Sequence, residues 1–134
     1  MSVRARNVLT MTTLPNVDPW ILETIATLPG TEVVPYPEWG AQTLQVAGKH
    51  FGRVGTDPGG RPILTLKGDP DNNLALVQEY DGISPGYYTN KRLWVSIALD
   101  DELIPREVVV EALVVAFEIV KAGLPKYVQA ELNL

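Results

Sequence analysis

Residues 86–100 read GYYTNKRLWVSIALD. Successive side chains on a strand point to opposite faces. Leu93, Val95, Ile97 and Leu99 therefore fall on one side, and Arg92, Trp94, Ser96 and Ala98 on the other. The aliphatic set belongs to a core, which sends Trp94 to the opposite face. The same split recurs upstream. In QTLQV (42–46) Leu44 and Val46 point in, Thr43 and Gln45 out; in ILTLK (63–67) Leu64 and Leu66 point in, Ile63, Thr65 and Lys67 out. Antiparallel strands with this alternation build a sheet with one covered face and one open face. The open face is expected to carry Gln45, Lys67, Arg92 and Trp94, with Lys49 and Lys91 at its rim. It is either an ordinary solvated face or a surface for a ligand or partner, since aromatics beside arginine favour stacking and interfaces.

The elements around this strand follow from their punctuation. Asp18-Pro19 supplies a cap and a first-turn proline, and Ile21, Leu22, Ile25 and Leu28 form one helical stripe that ends at Leu28-Pro29-Gly30. AQTLQVAGKHFGRVG reads as two strands joined around Gly48-Lys49, TDPGGRP as a second turn, and ILTLK as the third strand. Asp69 and Pro70 repeat the cap-and-proline signal for a second helix running to about Tyr80, and LWVSIAL is the strongest strand. A long helix follows from Pro105 to Lys121. On a helical wheel Glu107, Glu111, Glu118 and Lys121 share one wedge with Val114, and nearly all other positions are apolar. So wide an apolar arc needs cover on more than one side, from the sheet and another helix or from a second copy of the chain. The order α-β-β-β-α-β-β-α implies an α+β fold, a two-layer α/β sandwich with an antiparallel sheet. One domain is expected over 18–126, with a loose tail at 1–17 and a C-terminal tail at 127–134.

Bulk properties narrow the function. A chain of 134 residues suits one domain. It has no cysteine, which excludes disulfides, thiolate metal sites and a cysteine nucleophile, and fits a cytoplasmic location. No apolar run reaches the length of a membrane span, and the first residues read as a tail, not a signal peptide. The formal net charge of −5 argues against strong nonspecific binding to duplex DNA.

No chemical motif stands out. His50 is the only histidine and reads as an exposed residue beside a hairpin turn. GTDPGGRP lacks the Lys-Ser/Thr of a phosphate loop and reads as a hairpin connection. Asp100, Asp101 and Glu102 precede a helix, where carboxylates suit the dipole. Trp39 is expected to pack under the first helix. No residues assemble a nucleophile, a base and an oxyanion donor, so neither an enzyme nor a cofactor or metal site is expected.

LPGTEVVPYPEWG, VAGKHFGRV, PILTLKGDP, GISPGYYTNKRLWVSIALD and AGLPK, in that order and spacing, resemble the MmcQ/YjbR family from about Leu28 to Lys126. The matching positions include Trp39-Gly40, Gly48-Lys49 with Phe51, Leu66-Lys67, Tyr88, Asn90-Lys91 and Trp94-Val95. The resemblance implies a small α+β unit with an antiparallel sheet, similar to type III secretion chaperones and to the C-terminal domain of a phage transcription activator. It also implies DNA binding, a label that rests largely on fold, and carries no catalytic residues. Two departures weaken the DNA reading. Ala116-Phe117 stands where relatives tend to have Ser-Tyr, and the C-terminus continues as YVQAELNL instead of ending in basic residues.

The expectation is a non-enzymatic DNA-binding module of the MmcQ/YjbR type. Lys49, Lys67, Lys91 and Arg92 would hold phosphates weakly, Trp94 or Tyr88 would stack on bases, and Gln45 would lie on the same face. The alternative is a protein-interaction or chaperone-like module that receives a protein partner or a second copy on that face or on the last helix.

Overall fold

Strand alternation builds the core on one side of a single sheet. In the computed structural model, which describes residues 16–132, the strands are β1 (Thr31–Tyr36), β2 (Ala41–Val46), β3 (Lys49–Thr56), β4 (Pro62–Lys67), β5 (Ile83–Pro85) and β6 (Trp94–Ala98). They pair antiparallel throughout in the order β1-β2-β3-β4-β6-β5. Among the described residues four α-helices accompany them: α1 (Pro19–Ala26), α2 (Pro70–Glu79), α3 (Arg106–Ala122) and α4 (Lys126–Leu132). Inward side chains Leu44, Val46, Phe51, Val54, Leu64, Leu66, Val95 and Ile97 form one buried cluster with Ile21 and Ile25 of α1 and Val109, Leu113, Ala116 and Phe117 of α3. Phe51 meets Phe117 edge to face at 6.0 Å. Each fully buried large side chain of this kind contributes roughly 1.5–3 kcal/mol. The α+β sandwich with an antiparallel sheet is as expected from the sequence.

Local chemistry sets the joints. Asp69 caps α2 by accepting a hydrogen bond from the Asn72 amide at 3.0 Å, with Pro70 at the first helical position. Asp18 precedes α1 as its cap residue, but its backbone carbonyl, not its carboxylate, accepts from the Ile21 and Leu22 amides. The β2–β3 turn sits one residue earlier than expected. Its central pair is Ala47-Gly48, with φ of 48° and 82°, and Lys49 already pairs with Val46. Two positive φ values are what a tight hairpin matching the sheet twist requires.

Two elements were not legible. Thr31–Tyr36, to which the sequence pattern assigns no element, forms edge strand β1, and Pro35 is tolerated there because an edge residue need not donate to a neighbour. The other edge, β5, ends at Pro85, so both exposed edges carry a residue that discourages further pairing. Residues 126–132, expected as tail after 126, form α4, whose Val128 and Leu132 pack on the core. Gly30, at φ 74°, makes room for Leu132: a β-carbon there would collide with it. The expected tail at 1–17 lies outside the described residues apart from its last two.

β6 is shorter than LWVSIAL. Asn90 closes a turn ahead of it, its side-chain oxygen accepting from the Arg92 amide and its carbonyl from the Leu93 amide. On α3, Glu107, Glu111 and Glu118 are exposed as expected, while Val114 and Lys121 are half-buried. Among the described residues no helix is long and apolar enough to cross a membrane.

Candidate ligand-binding face

The outer face of the sheet is not open along its middle. Strand register lines up Val34, Thr43, Arg53, Thr65, Ser96 and Ser84 in one row across all six strands. Thr43, Thr65 and Ser96 are at most 1% exposed, and Ile63 and Ala98 beside them are also buried. The expectation of an open face is corrected along this row for a physical reason. The loop 86–93 folds over β4 and β6, and a ring cluster of Tyr36, Trp39 and His50 folds over β2 and β3. Tyr36 and Trp39 lie 4.7 Å apart, and His50 meets them edge-on at 5.5 and 5.8 Å.

Every covered polar group in that row is satisfied, as burial demands. Thr65 and Ser96 share a hydrogen bond of 2.8 Å, and Ser96 Oγ accepts from the Tyr87 amide at 3.0 Å. Thr43 Oγ1 donates to the Val34 carbonyl and accepts from Gln45 Nε2. Gln45 Nε2 also lies 3.2 Å from His50 Nε2. Gln45 points to the outer face as expected, but it is buried there and commits its amide to Thr43 and His50. His50 is half-buried, not exposed. Burial, and then the nearby Arg53 charge, lower its pKa below the ordinary 6.5. A neutral ring can accept the Gln45 amide proton on Nε2.

Arg53 is the centre of the uncovered part. Its guanidinium carbon lies 5.8 Å from the Trp39 ring centre and 5.9 Å from that of Tyr88, within cation–π range of both. Its Nη2 donates to the Tyr87 carbonyl at 2.7 Å. Among the described residues no carboxylate pairs with it. Burial lowers its pKa from the usual value, with Tyr88 opposing that shift, and an arginine remains charged regardless. The three side chains wall a cavity of about 430 Å³ whose floor is Ala41, Gly55, Ile63 and Thr65. Trp39 is 54% and Tyr88 67% exposed, high values for rings of that size. Trp39 therefore lies over the outer face, not under the first helix.

The loop that presents Tyr88 is pinned at several points. Gly86 N–H donates to the Trp94 carbonyl, Lys91 Nζ donates to the Gly86 carbonyl at 2.9 Å, and Tyr87 is held at its amide by Ser96 and at its carbonyl by Arg53. Within this clamp Tyr88 has φ of 63°. A bulky residue in the left-handed region costs about 1–3 kcal/mol, and such strain gathers at ligand clamps and active sites.

Of the residues singled out in the sequence, the structure brings Lys67 and Trp94 together. They are cross-strand partners, and Lys67 Nζ lies 5.3 Å from the Trp94 ring centre. Lys91 lies in the loop before β6, its ammonium 5.6 Å from the Tyr87 ring, and shares with Arg92 the groove against α2. Lys49 is exposed at the start of β3. Arg92 is not on the sheet face. It sits in the turn before β6, exposed, beside a groove formed with Asn73 and Leu74 of α2, and its carbonyl accepts from the buried Asn73 side chain. Sequence reasoning missed Arg53 and the part played by Trp39. A β-bulge between Leu44 and Gln45 interrupts the β2–β3 pairing just where HFGRVG would have been counted off.

Among the described residues no three histidine, aspartate or glutamate side chains cluster as a metal site would require. The sheet order, the Trp39 and Tyr88 positions and the Lys67–Trp94 pair sit within a stretch matched by a known family: the YjbR model covers residues 26–119. The chain belongs to the YjbR family. An uncharacterised protein, YbdF, from Escherichia coli O157:H7 is 36% identical over 60 residues, which is 45% of this chain and 48% of that protein. The match thus spans about half the length of that relative. The crystal structure of Deinococcus radiodurans protein DR2400, a DUF419 domain, superposes with a TM-score of 0.73 at 26% identity over 85% of this chain and 86% of that one. A Pseudomonas syringae protein superposes with a TM-score of 0.57 at 19% identity over 66% and 86%, a likeness of fold alone.

Proposed function

We propose that this YjbR domain is a non-enzymatic binding module whose outer sheet face holds nucleic acid weakly, single strands in preference to duplex. One observation carries the reading. On that face and in the loop at its edge three cations lie against aromatic rings, Arg53 between Trp39 and Tyr88, Lys67 over Trp94 and Lys91 over Tyr87, and among the described residues none is paired with a carboxylate. Unpaired cations serve phosphates, and exposed rings serve unstacked bases; surfaces for single strands combine the two. Charge gives the strand a direction. Glu32, opposite Gln45 in the register, and Glu38 are exposed along the β1 edge, so a polyanion is steered toward β3, β4 and β6. The helix layer, with Glu107, Glu111 and Glu118 exposed on α3, repels it.

The test is titration of fluorescently labelled single- and double-stranded oligonucleotides at two salt concentrations. About three phosphate contacts give a slope of log K against log salt near −2 for a single strand and near −3 for duplex. Lys67→Glu with Lys91→Glu abolishes binding, and Glu111→Gln leaves it unchanged. Absence of binding at low salt, or indifference to the double reversal, overturns the reading.

A second reading has its own observation. Leu76 of α2 and Val108, Ala112 and Val115 of α3 line a groove on the helix layer, where a protein partner or a second copy would seat apolar residues. Concentration-dependent sedimentation, unaffected by the two lysine reversals, would favour it.

A further inference from the structure

We infer that the cavity between Trp39, Arg53 and Tyr88 is a site for one nucleotide, a planar heteroaromatic ring carrying a phosphate, whether free or as one unit of a strand. The inference rests on the reading of the outer face above and goes further by naming the recognition pocket within it. Four features converge. The cavity, about 430 Å³, falls in the range that small-molecule sites occupy. The small floor residues Ala41 and Gly55 leave its depth free. Arg53 is half-buried, fixed in orientation by the Tyr87 carbonyl, and has N–H groups left over after that bond. A fixed planar fork with no carboxylate partner among the described residues is suited to phosphate oxygens. Finally, Tyr88 is held strained at φ 63° by a loop pinned to β3 and β6, and its ring stands out in solvent. The ring touches Arg53 and Tyr87 along its edge of the pocket, yet two-thirds of it stands in solvent in a costly backbone conformation. A base stacked on Tyr88 or Trp39 makes use of that exposure, because base–aromatic stacking needs a rigid ring with a free face.

The phosphate and the ring must both be present. Inorganic phosphate and ribose 5-phosphate offer only the charge; a nucleoside offers only the ring. A nucleoside monophosphate satisfies Arg53 and one aromatic wall together, within a single cavity.

The experiment is two-dimensional NMR on the full chain, following the Trp39 indole N–H, the Arg53 Nε–H and the Tyr88 amide. Adenosine and guanosine monophosphate, the corresponding nucleosides, ribose 5-phosphate and inorganic phosphate are titrated separately. The monophosphates shift all three signals in a saturable way, at least tenfold more tightly than nucleoside, sugar phosphate or phosphate alone. Arg53→Gln weakens the monophosphates at least tenfold. Tyr88→Ala, a change at an exposed ring that leaves the fold intact, weakens them several-fold and brings them toward the affinity of ribose 5-phosphate. Oligonucleotide titrations of the same variants separate the two claims. Single strands that bind through Lys67 and Lys91, with no response to Arg53→Gln or Tyr88→Ala and no monophosphate shift at Trp39, overturn the pocket and leave the face standing. Monophosphate binding without any strand binding keeps the pocket as a free-nucleotide site and overturns the strand reading. If nothing binds, both fall.

Discussion

The two faces of the sheet are dry where they meet β6, and they are dry by different means. On the inner face Val95 and Ile97 are excluded from water inside the aliphatic cluster that also holds the fully buried Leu113 and Phe117, with α2 packed beside β6. On the outer face Ser96 and Thr65 are equally excluded, yet they are polar, and what covers them is a loop tied down by the Ser96 hydroxyl, which Thr65 holds in turn. The first cover is non-directional and tolerates no charge. The second is a set of specific hydrogen bonds that hold Tyr87, and through it Arg53, in one geometry. The contrast separates the jobs: the inner face supplies stability, and the outer face spends part of it on positioning exposed rings and cations.

The largest test of that contrast places a charge in each position of the helix layer. Leu113→Asp forces a carboxylate into full apolar burial and is expected to cost more than about 4 kcal/mol, enough to unfold a domain of this size. Val110→Asp, at a half-buried site, is expected to cost about 1–2 kcal/mol. Urea denaturation compares them, and equal costs would mean that α3 is rotated from the position described.

On the outer face the expected losses are smaller and coupled. Ser96→Ala removes the acceptor of the Tyr87 amide and the partner of Thr65, for a cost of about 1–3 kcal/mol. Thr65→Val costs about 1 kcal/mol, and the double variant costs less than the sum because the shared bond is lost only once. Amide exchange at Tyr87 should quicken in Ser96→Ala and stay slow in Thr65→Val. Additive energies would show that the row is a set of separate contacts. Tyr88→Asn tests the strain directly. Asparagine accepts the left-handed region more readily than tyrosine, and the variant should be more stable by up to about 1 kcal/mol despite losing the ring contact with Arg53. A clear loss of stability would mean that the ring, not the backbone, dominates there.

The inner face was legible because its signal is local. Alternation in QTLQV, ILTLK and LWVSIAL placed Leu44, Val46, Leu64, Leu66, Val95 and Ile97 correctly, and Asp69-Pro70 marked the start of α2. Much of the outer face was not, because its cover comes from elsewhere in the chain. No pattern near Thr65 announces that residue 87 will close over it. Trp39 reaches back over β2 and β3 from a turn, and Arg53 follows a bulge that breaks the count. Lys67 and Trp94 were legible as outward residues, and only the register made them partners. Edge strand β1 was masked by its proline, and α4 by a sequence whose apolar positions, Val128 and Leu132, have meaning only against a distant core, with Gly30 leaving Leu132 its seat.

The smallest expected effect is the pH response of the outer face, and its sign is fixed by His50. Burial is the larger cause and the Arg53 charge the smaller, and both favour the neutral ring, so the folded-state pKa lies below the ordinary 6.5 of the unfolded chain. Above pH 6.5 neither state binds a proton at His50, and the residue contributes no slope. As pH falls below that value the unfolded chain takes up the proton first, and stability declines; once pH passes below the folded pKa both states are charged and the loss levels off. Protonation also removes the Nε2 lone pair that faces Gln45. His50→Gln loses the ring packing against Tyr36 and Trp39 at every pH but has no proton to bind. The wild-type advantage in Tm over His50→Gln should therefore be greatest at pH 7–8 and shrink as pH drops from 6.5 toward 5. The same titration adds positive charge beside Arg53, so nucleotide affinity at the Trp39 pocket should rise over the interval in which stability falls. Thermal melts of both proteins at half-unit pH steps check the first claim. A gap between the two Tm values that widens on acidification would mean that His50 is held charged in the fold and that the Gln45 contact runs in the opposite sense.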